Sequence, residues 1–177
     1  MEFTGLQNSI IRLRPLEPVD LQLLYIWEND TDTWKFGDTV SPYSKITLES
    51  FIETSNFDVT INKQLRLIIE EISSEKAVGV IDLYDVNFIH GRAGVGILID
   101  KNFRKRGYAF EALQLISGYA FGILNLTQLY CYIREDNEES IQLFNKAGFQ
   151  KSGLLVDWVK ESGVSKNTII LQKLIIS

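Results

Sequence analysis

The chain has 177 residues, of which 45% are hydrophobic and 23% charged, with a formal net charge of −5. These values indicate a single domain, residues 1–177, that can bury a core, and the net acidity argues against a general nucleic-acid binder. Because there is neither an apolar run of about 18 residues nor a secretory start, we expect a cytoplasmic chain without a membrane partner.

The first third of the chain predicts one strand and two helices. Residues 10–14 alternate enough for a strand, and Pro18 suits the first turn of a helix that ends near Asn29. A second helix is predicted over residues 47–55, with Thr47 as its cap. The aromatic, acidic and turn-rich stretch between these helices, residues 30–44, has two open interpretations: a packed loop or a substrate-facing lid.

Three strands are then predicted in quick succession and form an antiparallel meander. They lie at residues 65–70, 77–84 and 94–100. Gly94 and Gly96 weaken the third of these strands, which is typical of a bulge or of a close approach by another backbone.

A basic turn, residues 104–109, follows this strand and opens a helix that runs from residue 108 to 121. Arg104, Lys105 and Arg106 lie where the helix dipole disfavours positive charge. A bound anion would remove the conflict, since backbone N–H groups at a helix start bind phosphate and Gly107 lets a ligand approach. The alternative is an ordinary solvated basic turn.

Residues 128–133 predict another strand, and the strand–helix–strand order predicts that it lies parallel to its predecessor. It contains the single cysteine, Cys131, which we interpret as a core thiol rather than a nucleophile. One cysteine excludes an intrachain disulfide and a multi-cysteine metal cluster, so no metal is expected.

The last informative stretch is a short helix, residues 138–146, with Asn137 as its cap. Ser140 and Phe144 lie four residues apart and therefore share one face. Ser140 has two open interpretations: a member of the cap or a group that faces a ligand. Two final strands, about residues 150–160 and 165–174, complete the sheet.

In order and residues the chain resembles the GNAT superfamily of acyl-CoA-dependent N-acetyltransferases. The motif Arg/Gln-x-x-Gly-x-Gly/Ala is present over residues 104–109, after a glycine-containing strand, and an Asn-x-x-Ser helix ending Lys-Ala-Gly-Phe follows. The start at residues 11–16 and the loop at 87–93 resemble the branch with ribosomal-protein N-terminal and spermidine acetyltransferases.

The resemblance covers residues 10–174 and implies an α+β fold. About seven strands would form a mixed, mostly antiparallel sheet flanked by about four helices, with strands four and five splayed apart to admit a pantetheine arm.

The resemblance also implies an acetyl-CoA site. The arm would follow the fourth strand, the pyrophosphate would rest on the basic turn, and Asn137 and Ser140 would flank the sulfur. The implied cofactor-binding residues are Ile97, Leu98, Ile99, Arg104, Lys105, Arg106, Gly107, Tyr108, Ala109, Asn137, Ser140 and Lys146.

The catalytic residues depart from the common family pattern. Many members place a tyrosine, the acid for the thiolate, where this chain has Phe144, and a glutamate on the fourth strand where it has Gly94. Ser140 is the candidate acid, with Asn137 beside it, and Asp82 is the candidate base or amine anchor. The alternative for Asp82 is a surface carboxylate.

The predicted function is acetyl transfer from acetyl-CoA to a primary amine, with no metal. A polyamine is favoured over a protein N-terminus, because net acidity and several carboxylates can attract a polycation. These are Glu28, Asp30, Asp32, Asp38, Asp82 and Asp85.

Three further points stay open at this level. An acyl-CoA-binding sensor with little turnover is the main alternative, while a phosphate-binding kinase lacks its glycine-lysine motif. His90 is expected to be an exposed loop histidine. The oligomeric state is undetermined, and a homo-oligomer is one of the partners considered.

Overall fold

The computed structural model describes residues 5–34, 37, 39–55 and 58–175. Seven strands form its sheet: β1 (Ile11–Pro15), β2 (Leu65–Glu71), β3 (Lys76–Asn87), β4 (Arg92–Ile99), β5 (Gln128–Arg134), β6 (Gln150–Glu161) and β7 (Val164–Leu174). Six helices accompany it: α1 (Leu21–Glu28), α2 (Thr31–Trp34), α3 (Lys45–Ser55), α4 (Val59–Asn62), α5 (Tyr108–Gly122) and α6 (Glu138–Lys146).

The strands lie in the order β1-β2-β3-β4-β5-β7-β6. Every neighbouring pair is antiparallel except β4 and β5, which run parallel. The predicted mixed, mostly antiparallel sheet, the β2–β3–β4 meander and the parallel β4–β5 pair are therefore confirmed. The parallel pair is short, because Arg92–Gly94 of β4 oppose Gln128–Tyr130 of β5 and the pairing then ends.

The larger core lies on one face of the sheet, between the strands and α5, and we call this the α5 face. Its members alternate along the strands, as in Ile81 and Leu83 of β3 and Leu129 and Cys131 of β5, and Leu113 of α5 packs against them. This alternation fixes the direction of each strand's side chains, since successive residues point to opposite faces.

The opposite face, which we call the α1 face, carries a smaller core. Leu24 and Trp27 of α1, with Leu48 of α3, cover Ile68 of β2 and Val80 of β3. This smaller core covers β2 and β3, and the polar and aromatic side chains described below lie further along the same face. In the described part of the chain, no helix is long and apolar enough to cross a membrane.

The prediction was wrong in detail for the segments around α2, α3 and α4. Helix α3 begins at Lys45, and Thr47 donates its backbone N–H to Ser44 Oγ at 3.1 Å, so Ser44 rather than Thr47 caps it. The stretch 30–44 contains α2, and α4 was not predicted. Lys35, Phe36 and Asp38 lie outside the described residues, so the loop and lid interpretations stay open there.

Candidate functional site

The parting of β4 and β5 creates the gap around which the site is built. β4 pairs with β3 as far as Ile99, and β5 pairs with β7 as far as Arg134, but the two strands pair with each other only up to Gly94 and Tyr130. Beyond that point the β4 edge over residues 95–99 faces no strand among the described residues. The predicted splay is thus present, and a bound chain with amide groups can pair with this free edge.

The basic turn lies at one end of the gap, and its backbone suits a phosphate. Gly107 is the N-cap of α5 with φ +88°, and no side chain caps that helix start. A Cβ at Gly107 would have no atom within 4 Å, so the space before the helix is open. The N–H groups of the first turn are therefore available to an anion, as the charge pattern predicts.

The three cations of the turn are exposed and lightly held. Arg104 Nε donates to the carbonyl oxygen of Ile99 at 3.1 Å, and Arg106 donates to that of Asn102 at 3.1 Å. Lys105 Nζ lies 3.4 Å from a carboxylate oxygen of Glu139 on α6, which brings the turn beside the start of that helix. These contacts leave all three charges free to turn toward a ligand.

Tyr108 behaves differently from its neighbours in the turn. Its side chain is buried, and its hydroxyl donates to Glu71, a hydrogen bond that raises the pKa of Tyr108. The ring therefore anchors the start of α5 to the end of β2. Of this predicted binding residue, only the backbone N–H can face a phosphate.

The start of α6 lies at the other side of the gap. Asn137 Oδ1 accepts the backbone N–H of Ser140 at 3.2 Å, so the predicted cap is confirmed and belongs to Asn137. Within the described residues the Ser140 hydroxyl makes no hydrogen bond. At the far end of α6, Lys146 Nζ lies 4.7 Å from the ring centre of Phe110 on α5. Asn137, Ser140, Lys146 and the basic turn therefore lie on adjoining helices.

Phe144 is a core residue. Its side chain is 4% exposed, and its ring stands edge-on to Phe149 with centroids 5.0 Å apart. The position at which many family members carry a tyrosine thus holds a ring without a proton to donate. Ser140, one turn earlier on the same helix, is the hydroxyl nearest in sequence.

On the α1 face, Asp82 belongs to a three-residue charge cluster. Arg66 donates to both Asp82 carboxylate oxygens, at 2.6 and 3.1 Å, and also binds Glu28. Burial acts to lower the pKa of Arg66, but the two carboxylates outweigh it and the net shift is upward. The Asp82 side chain is 13% exposed, so the surface-carboxylate alternative is wrong. Because both Asp82 oxygens bind Arg66, the paired carboxylate is poorly suited to act as a base. The cluster of two carboxylates and one guanidinium has a formal charge of −1.

Gly94 and Gly96 accommodate side chains of β3, not another backbone. A Cβ at Gly94 would lie 2.2–2.7 Å from three ring atoms of Tyr84, and a Cβ at Gly96 would lie 3.8 Å from Asp82 Oδ2. The expected bulge is present beside Gly94, because β3 has one residue more than β4 between the pairs Tyr84↔Gly94 and Asn87↔Arg92. The close approach at Gly94 comes from the Tyr84 side chain and not from another backbone. Tyr130 of β5 stands edge-on to Tyr84, with centroids 6.0 Å apart.

Neither this aromatic group nor Arg66 was predicted as part of the site from the sequence. The available signal was the single tyrosine of β3 and the alternating tyrosines of β5, but their position beside Gly94 becomes visible only once the register Tyr84↔Gly94↔Tyr130 is known.

A cleft of about 240 Å³ opens beside the end of β4, between α1 and the basic turn. Trp27 Nε1 donates to Asp100 Oδ2 at 2.8 Å at its wall, and Asp30 and Arg104 also line it. The cleft therefore connects the α1 face with the basic turn.

The remaining candidates are not part of this arrangement. Cys131 is buried, and burial raises the pKa of its thiol to about 12, as expected of a core thiol. His90 is exposed in the turn between β3 and β4, as predicted. Among the described residues, no three His, Cys, Asp or Glu side chains converge as metal ligands would.

Comparisons with known proteins agree with this geometry. The profile of the acetyltransferase (GNAT) domain matches residues 11–150. The spermidine N(1)-acetyltransferase of Escherichia coli (strain K12) is 32% identical over 161 residues, covering 90% of this chain and 83% of that enzyme.

Two solved structures of spermidine N-acetyltransferase from Vibrio cholerae share the fold. The complex with CoA and spermine has a TM-score of 0.85 at 24% identity and covers 94% of this chain and 96% of that one. A dodecameric structure has a TM-score of 0.78 at 25% identity, with 94% and 95% covered. The chain therefore belongs to the GNAT superfamily and is an acetyl-CoA-dependent N-acetyltransferase.

Proposed function

We propose that the acceptor of this acetyltransferase is a polyamine. The observation that carries the proposal is the gap between β4 and β5, which has the basic turn at one end and the net negative Arg66 cluster on the α1 face. The E. coli relative is named for spermidine, which is consistent with it. Relatives named as enzymes give the sensor alternative no support.

The residues present fit acetyl-CoA. Free N–H groups at the start of α5 and the cations Arg104, Lys105 and Arg106 would hold its phosphates, and the free β4 edge would pair with its amide-containing arm. The bound thioester supplies an activated acetyl group. Ile97 and Ile99 pack toward the α5 face and Leu98 toward the α1 face, so their backbone, not their side chains, serves the arm.

The chain's own groups would then supply a proton to the departing sulfur. A neutral primary amine attacks the acetyl carbon, a C–N bond forms as the C–S bond breaks, and the amine proton ends on the departing sulfur. Ser140 is the proposed proton donor to that sulfur, directly or through water, with Asn137 holding the helix turn that carries it.

The Arg66 cluster supplies the charge that favours a polyamine over a monoamine. The attacking nitrogen must be neutral, but a second nitrogen of the same molecule keeps its positive charge. The two carboxylates Glu28 and Asp82 face the single cation Arg66, which leaves one net negative charge. Asp30 in the cleft wall and Asp85 near Tyr84 and Tyr130 add to the negative potential. We propose Asp82 as an anchor for that distant ammonium group.

Release of free CoA from acetyl-CoA tests the acceptor, measured against polyamines, aminoglycosides and peptides with a free N-terminus. Polyamines should exceed the other classes at least about tenfold in kcat/KM. A fully N-methylated polyamine is the control, since it keeps the charge and cannot be acylated. Faster turnover of a peptide or an aminoglycoside, or binding of polyamine without turnover, would overturn the proposal.

We also infer a homo-oligomer that uses the outer part of β6. This edge strand carries a two-residue excess opposite β7 between Leu155 and Val159, and Val156 and Trp158 in that bulge are 70% and 62% exposed. Such apolar exposure on a sheet edge favours burial by another chain. The dodecameric relative from V. cholerae is consistent with the inference.

A further inference from the structure

Tyr84 fills the space that Gly94 leaves open. The two residues are direct partners across β3 and β4. A Cβ at Gly94 would lie 2.2 Å from Tyr84 Cε2 and 2.3 Å from Cζ, so the hydroxyl-bearing end of the ring lies over Gly94. Any side chain at position 94 would displace that ring.

The ring lies where β4 and β5 separate. Gly94 and Tyr130 are the last paired residues of the two strands, and Tyr130 contacts the Tyr84 ring edge-on. Tyr132 continues the group beyond that point, with its ring 5.5 Å from that of Tyr130. Tyr84 therefore reaches across β4 to the mouth of the gap, on the α1 face.

The phenol groups of Tyr84, Tyr130 and Tyr132 have no hydrogen-bond partner among the described residues. Tyr84 and Tyr130 are partly buried, whereas Tyr132 is 49% exposed. Neither Tyr84 nor Tyr130 has a buried unsatisfied hydroxyl oxygen, so these hydroxyls, like that of the exposed Tyr132, reach solvent and can exchange water for a ligand. Three such groups at one end of a substrate gap are available to a ligand.

We propose that the Tyr84 hydroxyl positions the reacting amine of the acceptor at the mouth of the gap, taking the place of the glutamate that many family members carry where this chain has Gly94. The proposal rests on the acetyltransferase function and holds for whichever primary amine is the acceptor. The rings of Tyr130 and Tyr132 form the wall along which the rest of the acceptor lies, including any further ammonium group it carries.

The role differs chemically from that of a carboxylate. Burial, followed by the neighbouring Tyr130, raises the pKa of Tyr84 well above its ordinary value, so the phenol is neutral at physiological pH. A neutral phenol oxygen accepts a hydrogen bond from the amine N–H and directs the nitrogen lone pair, but it is not a general base. Tyr84 is thus a residue that orients the nucleophile.

Tyr84→Phe tests the proposal, because it removes only the oxygen and leaves the ring over Gly94. We expect kcat with the best amine of the panel to fall at least about tenfold, with the Kd for CoA and Tm unchanged. Tyr25→Phe on α1, whose ring packs at the smaller core with Lys45 Nζ above it and not on β3, β4 or β5, is the matched control and should keep full activity. A Tyr84→Phe enzyme with wild-type kcat and KM for the amine would overturn the role of Tyr84.

A second pair of variants tests the position of the ring. Gly94→Ala should lose activity by displacing Tyr84, and the same change should have little further effect in a Tyr84→Ala enzyme. Independent, additive losses would contradict the contact between the two positions. Failure of the polyamine hypothesis is distinguishable, since another amine would then support turnover and Tyr84→Phe would still reduce it. An enzyme inactive on every amine would overturn both proposals.

Discussion

The Ser140 side chain can be tested at the scale of a single residue, because its hydroxyl takes no part in the cap of α6. The cap is formed by the Asn137 side chain and the Ser140 backbone, so the Ser140 hydroxyl is not used by the cap and is available to a ligand. We predict that Ser140→Ala lowers kcat about tenfold or more, with the Kd for CoA and Tm nearly unchanged. Steady-state kinetics, calorimetry of CoA binding and thermal unfolding provide the three measurements.

Asn137→Ala serves as the comparison for this variant. It removes a capping oxygen worth about 1 kcal/mol, so Tm should fall by about 2–4 °C. If Ser140→Ala lost stability to the same extent as activity, the hydroxyl would belong to the cap after all.

A charge reversal at Arg104 tests whether the basic turn binds the phosphates of CoA. We predict that Arg104→Glu raises the Kd for CoA about tenfold or more and weakens its dependence on salt concentration, because one phosphate contact is replaced by repulsion. Lys151→Glu, an equal charge change on exposed β6, is the matched control and should bind CoA normally. Equal affinity in both variants would show that the turn is merely solvated.

Residues of the site differed in how far the sequence could predict them. The Asn137 cap and the positive charge at the start of α5 depend on neighbours within a few positions, and such local signals are readable. The contacts of Tyr84 with Gly94 and of Asp82 with Arg66 depend on strand register, which a single sequence does not determine. The sequence therefore predicted Asp82 as a site residue but did not predict its ion pair with Arg66.

At the scale of elements, the β6–β7 hairpin is tied to the turn before α6 by ion pairs. Arg134 donates to Asp136 at 2.7 Å and to Glu161 at 2.9 Å, and Lys166 also binds Asp136. The Arg134 side chain is 7% exposed, so the central cation of the network is buried while its carboxylate partners are more exposed. It holds the hairpin beside the helix start that carries Asn137 and Ser140.

This network predicts a pH-dependent contribution of Asp136 to stability. Arg134, then Lys166, lower the pKa of Asp136 below its ordinary value of 3.8. A lowered pKa in the folded state means stabilisation that is complete above pH 3.8 and is lost as the pH falls through the folded value. Asp136→Asn should lower Tm by about 2 °C at pH 7, and the difference from wild type should shrink below pH 4.

Asp157→Asn is the control for this prediction, because Asp157 lies on the same hairpin and no ion pair of its carboxylate occurs among the described residues. Its Tm should match wild type from pH 4 to pH 8. A Tm effect of Asp136→Asn that is as large at pH 3 and below as at pH 7 would show that its charge is not what stabilises the hairpin.

The elements themselves were largely predictable, since hydrophobic periodicity and turn residues identified all seven strands and the helices α1, α3, α5 and α6. The single-turn helices α2 and α4 have four residues each, which is too short for a helical period to appear. The cap of α3 was misplaced because Ser44 and Thr47 are both good caps, and only the fold decides between them.

At the scale of the molecule, the two regions proposed to bind ligands lie on different elements. The basic turn and the two helices that flank it, α5 and α6, offer positive charge and free N–H groups, while the α1 face offers the Arg66 cluster and the tyrosines. The gap between β4 and β5 is the place where the two meet. The chain is net acidic but keeps its opposite charges on different elements, with the cations of the basic turn before α5 and the Arg66 cluster on β2, β3 and α1.

Assembly is the last property that the structure makes testable. Trp158→Asp places a charge in the exposed bulge of β6 without touching the core, so it should reduce the particle mass measured by light scattering and leave the fold intact by circular dichroism. Ile89→Asp is the matched control, since Ile89 is 90% exposed in the turn between β3 and β4. We expect an unchanged mass for that variant. Assembly through β6 would be contradicted if the wild-type protein were monomeric or if Trp158→Asp left the particle mass unchanged. If Trp158→Asp reduced both the particle mass and the activity, the oligomer would be linked to the α6 site through the β6–β7 hairpin.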